Sequence, residues 1–175
     1  MGEEREKELK QHKARIRALV AALRSGDYAQ TVGVLHRPDL PSRVVGLGGH
    51  CCLGVACEVA IKGGAPVLQY VDETSAAKDP RSKFFSADNP DDSSFESMPF
   101  VVFSWFGFDS SNPVLRVPRE VMEQALPEFA NFWNPDREFR ATTLNDDHHL
   151  TLPLIGDCFE YTFLREDWEQ RHAQD

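Results

Sequence analysis

The sequence predicts one compact α+β domain spanning 1–175, helix-rich with a small sheet, and three observations carry that prediction. Apolar residues recur every three or four positions near the N-terminus, after residue 51 and near the C-terminus, as they do along helices with one buried face. The stretch "PVLQYVDE" at 66–73 alternates as a half-buried strand does. The chain shows no internal repeat and no composition shift that would divide it, and 175 residues suffice to bury roughly two-thirds of the surface an unfolded chain exposes.

Residues 3–24 place Leu9, Ile16, Leu19, Val20 and Leu23 on one helical face, with acidic residues in the first turn and Ser25-Gly26 as a stop. Short apolar runs broken by Pro and Gly follow, with a strand expected at 43–47. From Cys51 or Cys52 to Lys62 the chain is apolar on nearly all sides, which predicts a buried helix closed by Gly63 and Gly64. Residues 74–97, rich in Ser, Asp and Pro, are expected to form a long mobile surface loop.

Pro99 can open a short helix over "PFVVFSWFG", with a strand as the competitor because of its β-branched and aromatic content. "DSSNPVLRV" reads as a turn into an extended segment. A helix from Pro118 carries Val121, Met122, Ala125 and Leu126 in step and is ended or bent at Pro127. Leu152, Ile155, Phe159 and Phe163 predict a last helix from about Pro153 to Leu164, approached by the polar run Asn145 to His149. The Cys52–Lys62 helix is expected at the centre, with the N-terminal helix packed across it.

Hydrophobic residues at 41% and charged residues at 27% are ordinary for a globular protein. A net charge of -9 argues against a broad nucleic-acid-binding face, which needs clustered Lys and Arg to displace counterions. No stretch approaches the roughly 20 apolar residues of a membrane span, and "MGEEREKELKQHK" lacks the pattern of a secretory signal. A cytoplasmic location follows as the expectation, with Cys51, Cys52, Cys57 and Cys158 reduced.

Cys51 and Cys52 stand where a helix start could stabilise a thiolate. With His148 as base and Asn145 or Asp146 to orient it, a cysteine-dependent hydrolase or transferase is one reading. The plainer reading treats all four cysteines as small apolar packing units. The glycines of "GLGGHCCLG" raise an anion site built from Gly48, Gly49, His50, Cys51 and Cys52, although a tight strand-to-helix turn explains them without a ligand. Neither a Walker pattern nor a dinucleotide fingerprint is present. Paired Cys-x-x-Cys or His-x-x-x-His spacings are absent too, so neither metal nor cofactor is expected. "LNDD" suits capping or turning, and Trp105, Phe106, Phe108, Phe132 and Trp133 are expected to fill the core or a pocket wall.

Together, "ALRSGDYAQ", "CCLGVAC", "SSNPV" and "LNDD" resemble a family of small phage and actinobacterial proteins with A-L-R-S-G-x-Y-x-Q, C-C-L-G-V-x-C and L-N-D elements, over residues 22 to 160. The resemblance implies no catalytic assignment. It implies an accessory protein, in the host cytoplasm if phage-encoded, that binds a host protein or sequesters a defence signal. Binding without catalysis, either to a host protein through the acidic surface or to a small nucleotide or anion near 48–52, is therefore the first expectation. The cysteine enzyme is the alternative.

Overall fold

A computed structural model describes residues 2–38, 48–72 and 81–173, with the Asp72 side chain left aside. Helix α1 runs Gly2–Arg24 and buries Ile16, Leu19, Val20 and Leu23, the stripe that the three- and four-residue spacing marks. Leu9 departs from that expectation and is 55% exposed, because the first turns of α1 extend past the body of the protein. Two-residue strands β1 (His36–Arg37) and β2 (Gly49–His50) pair antiparallel, His36 opposite His50. Helix α2 (Cys52–Lys62) follows at once and buries Cys52 to Cys57, Val59 and Ala60. Its last turn is closed by Gly63, whose N–H reaches the Val59 carbonyl.

Strands β3 (Val67–Asp72), β4 (Arg81–Ser86) and β5 (Ser93–Ser94) form an antiparallel sheet in that order, with Gln69 opposite Phe84 and Phe85 opposite Ser93. This corrects the loop expected at 74–97 at 81–86 and 93–94, whereas 87–92 and 95–97 are turns and bends as a loop would be. β4 turns Ser82, Phe84 and Ser86 inward, and two serines on its inner face disguise the alternation as a polar loop. The strand expected at 43–47 and the rest of that loop lie outside the described residues.

Helix α3 (Phe100–Phe106) starts after Pro99, where the Asp92 carboxylate accepts the N–H groups of Phe100 at 2.6 Å and Val101 at 3.0 Å. Strand β6 (Val114–Arg116) pairs antiparallel with β7 (Glu138–Arg140). Between them, α4 (Arg119–Ala125) breaks at Leu126 and α5 (Pro127–Ala130) resumes, so Pro127 bends the chain as expected. A π-helical turn over Thr143–Asp147 leads to α6 (Leu152–Phe163), and α7 (Arg165–His172), which sequence spacing did not foretell, ends the described chain.

This is an α+β domain whose apolar core is shared by α1, α2, α3 and α6. α1 crosses α2 and also lies along α6, so the N-terminal helix is as much a partner of the last third as of the centre. Phe106 and Phe108 stack at 5.1 Å, and Phe108 meets Phe159 and Phe163 from α6. Phe132 departs from its expected core role and stands 75% exposed. At the edge of the core, Arg24 and Arg171 close around Asp157 and Glu160, with Glu160 Oε2 2.7 Å from Arg24 Nη2 and 2.6 Å from Arg171 Nη2. Burial alone would raise the Glu160 carboxyl, and the two guanidiniums outweigh it, holding it below its ordinary range.

Candidate functional site

The two ends of α2 are built differently, and the expected site lies at the closed one. The first N–H groups of a helix are available to an anion only where nothing else takes them. Here the Cys51 N–H donates to the Leu35 carbonyl at 3.1 Å, and the Cys52 N–H donates to Asn145 Oδ1 at 3.3 Å. The next two N–H groups, on Leu53 and Gly54, partly offset the effect of burial on the Cys51 thiol.

Gly49 and Gly54 serve this closure. A Cβ at Gly49 would stand 2.6 Å from the Ala29 carbonyl oxygen, and one at Gly54 only 1.7 Å from that of Leu35. The glycines therefore admit the 29–35 segment against the helix start, and of the anion site expected at Gly48, Gly49, His50, Cys51 and Cys52 the N–H groups of His50, Cys51 and Cys52 are engaged by the chain itself.

Asn145 is the centre of the closure. Its Oδ1 also accepts from Gln30 Nε2 at 3.0 Å, and its Nδ2 donates to the Thr31 carbonyl at 2.9 Å and to Asp146 Oδ1 at 2.5 Å. Gln30 in turn donates to the Leu150 carbonyl at 2.7 Å and accepts the Leu152 N–H at 3.2 Å. Thus Gln30, Cys52 and Asn145, one from each of three sequence elements singled out above, meet in one fully used network. The capping reading of "LNDD" holds in an unforeseen form, since the helix capped lies 93 residues earlier.

The thiols are the reverse of activated. Cys51 is 3% exposed and Cys52 is sealed, with its Sγ 3.6 Å from the Ala141 carbonyl. Burial pushes the Cys51 thiol up to about 11, the Gly54 and Leu53 N–H groups pull back in part, and the Asp146 charge adds to the rise. Burial likewise raises Cys52, Cys57 and Cys158. Asn145 and Asp146 do come to the cysteines, but Asn145 addresses a backbone N–H. His148 sits between the rings of Phe129 and Phe139, centroids 5.7 and 5.6 Å away. The triad of Cys51 or Cys52 with His148 and Asn145 or Asp146 is not assembled, and a thiol held protonated by burial is a poor nucleophile.

His50 belongs to another cluster. Its ring stacks on His36 at 4.1 Å, meets Tyr28 edge-on at 5.2 Å, and sets Nε2 3.7 Å from Glu58 Oε1. His50 holds the Glu58 carboxyl below its usual range. Among the described residues, no group of three or more His, Cys, Asp or Glu side chains converges as metal ligands would.

The other end of α2 is open. A groove of about 720 Å³ runs between α1, the last turn of α2 and the end of α3, floored by Ala14, Ala18, Ala22 and Val59. Trp105 and Tyr28 stand on its walls. A Cβ at Gly63 would come within 2.5 Å of the Trp105 indole, so the missing side chain there is what lets the ring lie against α2.

Two cations border the groove, one held by a ring and the other by a hydroxyl. The Arg15 guanidinium lies 4.4 Å from the Trp105 ring centroid and donates to the Trp105 carbonyl at 2.5 Å. The Lys62 ammonium lies 5.3 Å from the Tyr28 centroid and 2.9 Å from its hydroxyl. That hydroxyl, and more distantly Glu58 and Asp27, raise the Lys62 pKa, so the ammonium is fully charged at neutral pH. Sequence reading missed Arg15, Lys62, Tyr28 and Asp27 because they come from separate elements. The available signal was Ala at 14, 18 and 22, a shallow stripe beside the apolar face of α1.

No helix among the described residues is long and apolar enough to cross a membrane. Comparison with curated proteins and with solved structures returned no match. A family model described as a domain of unknown function, DUF8296, matches residues 12–162, from the middle of α1 almost to the end of α6, and the chain belongs to that family.

Proposed function

We propose that the protein acts by binding rather than by catalysis, and that it takes a small anionic ligand in the groove at the open end of α2. The observation that carries this reading is the state of Arg15 and Lys62. The Arg15 guanidinium rests on the Trp105 ring and its carbonyl oxygen, and the Lys62 ammonium on the Tyr28 hydroxyl oxygen, neither of them on a carboxylate. A cation fixed in this way keeps its charge available, and ordering it in advance reduces what a ligand must spend on immobilising it. The overall charge of -9 does not oppose this locally, since counter-charges beyond about 8 Å are largely screened at physiological salt.

Calorimetric titration with a panel of small anions, comprising inorganic phosphate, an aromatic carboxylate and a nucleoside monophosphate, tests the reading. At least one is expected to bind, and the Arg15→Ala/Lys62→Ala double variant should weaken it by about a hundredfold, from two lost charge-assisted contacts of about 1.5 kcal/mol each. Failure of every anion to bind, or undiminished binding by the folded double variant, would overturn it.

A further inference from the structure

The groove is built for more than a charge. An inorganic anion would use Arg15 and Lys62 and leave the Ala14, Ala18, Ala22 and Val59 floor wet, which gains nothing from the apolar surface. A wholly apolar molecule would cover that floor and strand two cations. What satisfies both is a flat ring carrying a phosphate. Asp27 adds a further constraint, because its carboxylate lines the same groove and can only accept hydrogen bonds. It would repel a second phosphate and welcome a hydroxyl or amino donor.

Resting on the binding reading above, we infer that the ligand class is the nucleoside monophosphates. The base lies on the alanine floor against Trp105 or Tyr28, the phosphate reaches Lys62 and Arg15, and the sugar hydroxyls or an exocyclic amine face Asp27. The charged side chains that line the groove, Arg15, Lys62 and Asp27, sum to one net positive charge, which matches a monophosphate better than a triphosphate. The relevant rings are also suited to either purine or pyrimidine, since stacking on an aromatic face is tolerant of base identity.

The test compares adenosine monophosphate, adenosine triphosphate, adenosine, ribose phosphate and inorganic phosphate by titration calorimetry, with tryptophan fluorescence as a second readout. The monophosphate should bind at least about tenfold tighter than each of the others and quench Trp105. Trp105→Ala should weaken the monophosphate by more than about tenfold and ribose phosphate by clearly less, the latter only through release of Arg15 from the ring, and Asp27→Asn should narrow the gap between mono- and triphosphate. If ribose phosphate or inorganic phosphate binds as tightly as the monophosphate, and Arg15→Ala/Lys62→Ala abolishes that binding, the anion reading stands and the nucleotide inference falls. If none of the five binds, this inference falls, and the wider anion panel decides the other. Circular dichroism of each variant guards against loss of fold as the cause.

Discussion

The two ends of α2 use the same short list of devices, a glycine, an aromatic or amide side chain and a neighbouring helix, to opposite effect. At the start, Gly54 and Asn145 draw other segments in, and the N–H groups of Cys51 and Cys52 are taken. At the finish, Gly63 lets the edge of Trp105 approach α2 and leaves a groove beside it. The residues that look most reactive in the sequence, Cys51 and Cys52, are at the closed end, and the open groove is at the end where the sequence shows only a helix stop. An unusual cluster of residue types thus marks where the chain is most constrained, which is a statement about packing before it is one about chemistry.

The sharpest way to break this contrast is Gly54→Ala. A methyl group 1.7 Å from the Leu35 carbonyl must force backbone apart, and a loss of about 3 kcal/mol or more, or failure to fold, is expected in urea denaturation. A parent-like midpoint would mean that the 29–35 segment is not locked against α2. Next comes Asn145→Ala, which strands the Cys52 N–H and one donor of Gln30 and removes the contact to the Thr31 carbonyl. About 2 kcal/mol should be lost, with no change in anion binding at the far end.

Thiol chemistry gives a third, pH-resolved comparison. Burial lifts Cys51 from 9.0 to about 11 in the folded protein. A folded-state pKa above the unfolded one favours folding fully below pH 9, and that contribution fades as pH rises from there toward 11. Stability should therefore decline above pH 9 and be restored in part by Cys51→Ser. Native alkylation of all four cysteines should stay slow at pH 8 and become fast in urea; rapid reaction of native Cys51 or Cys52 would reopen the enzyme reading. The smallest effect is reserved for Gly63→Ala. It displaces only the rim of an indole, so stability should fall by about 1 kcal/mol or less, while Trp105 fluorescence and ligand affinity both shift.

Much of the scaffold was legible because burial and spacing coincide. Ile16, Leu19, Val20 and Leu23 announce α1, the apolar run from Cys52 announces α2, and Pro127 announces the break after α4. What escaped lacked that coincidence. β4 hides behind inward serines, and β7 is three residues long and exists through β6. α7 buries little besides Trp168 and is held by charge, with Arg17 bound to Asp167 and Arg171 to Glu160. The candidate site escaped for a related reason. Its closure depends on Leu35 and Asn145, and its opening on Arg15, Tyr28 and Trp105, partners that no local window contains.

The long reach from Asn145 to Cys52 also sets a schedule. Chains emerge from the ribosome N-terminus first and fold as units become complete. α2 is synthesised early and is apolar on nearly every side, yet the amide that finishes its first turn arrives 93 residues later. Until then the helix lacks its cap, and the Cys52 sulfur lacks the Ala141 carbonyl it lies against. The nascent protein is consequently at its stickiest and most oxidisable during the middle of its own synthesis, and α2 can be finished only after the π-helical turn has been made.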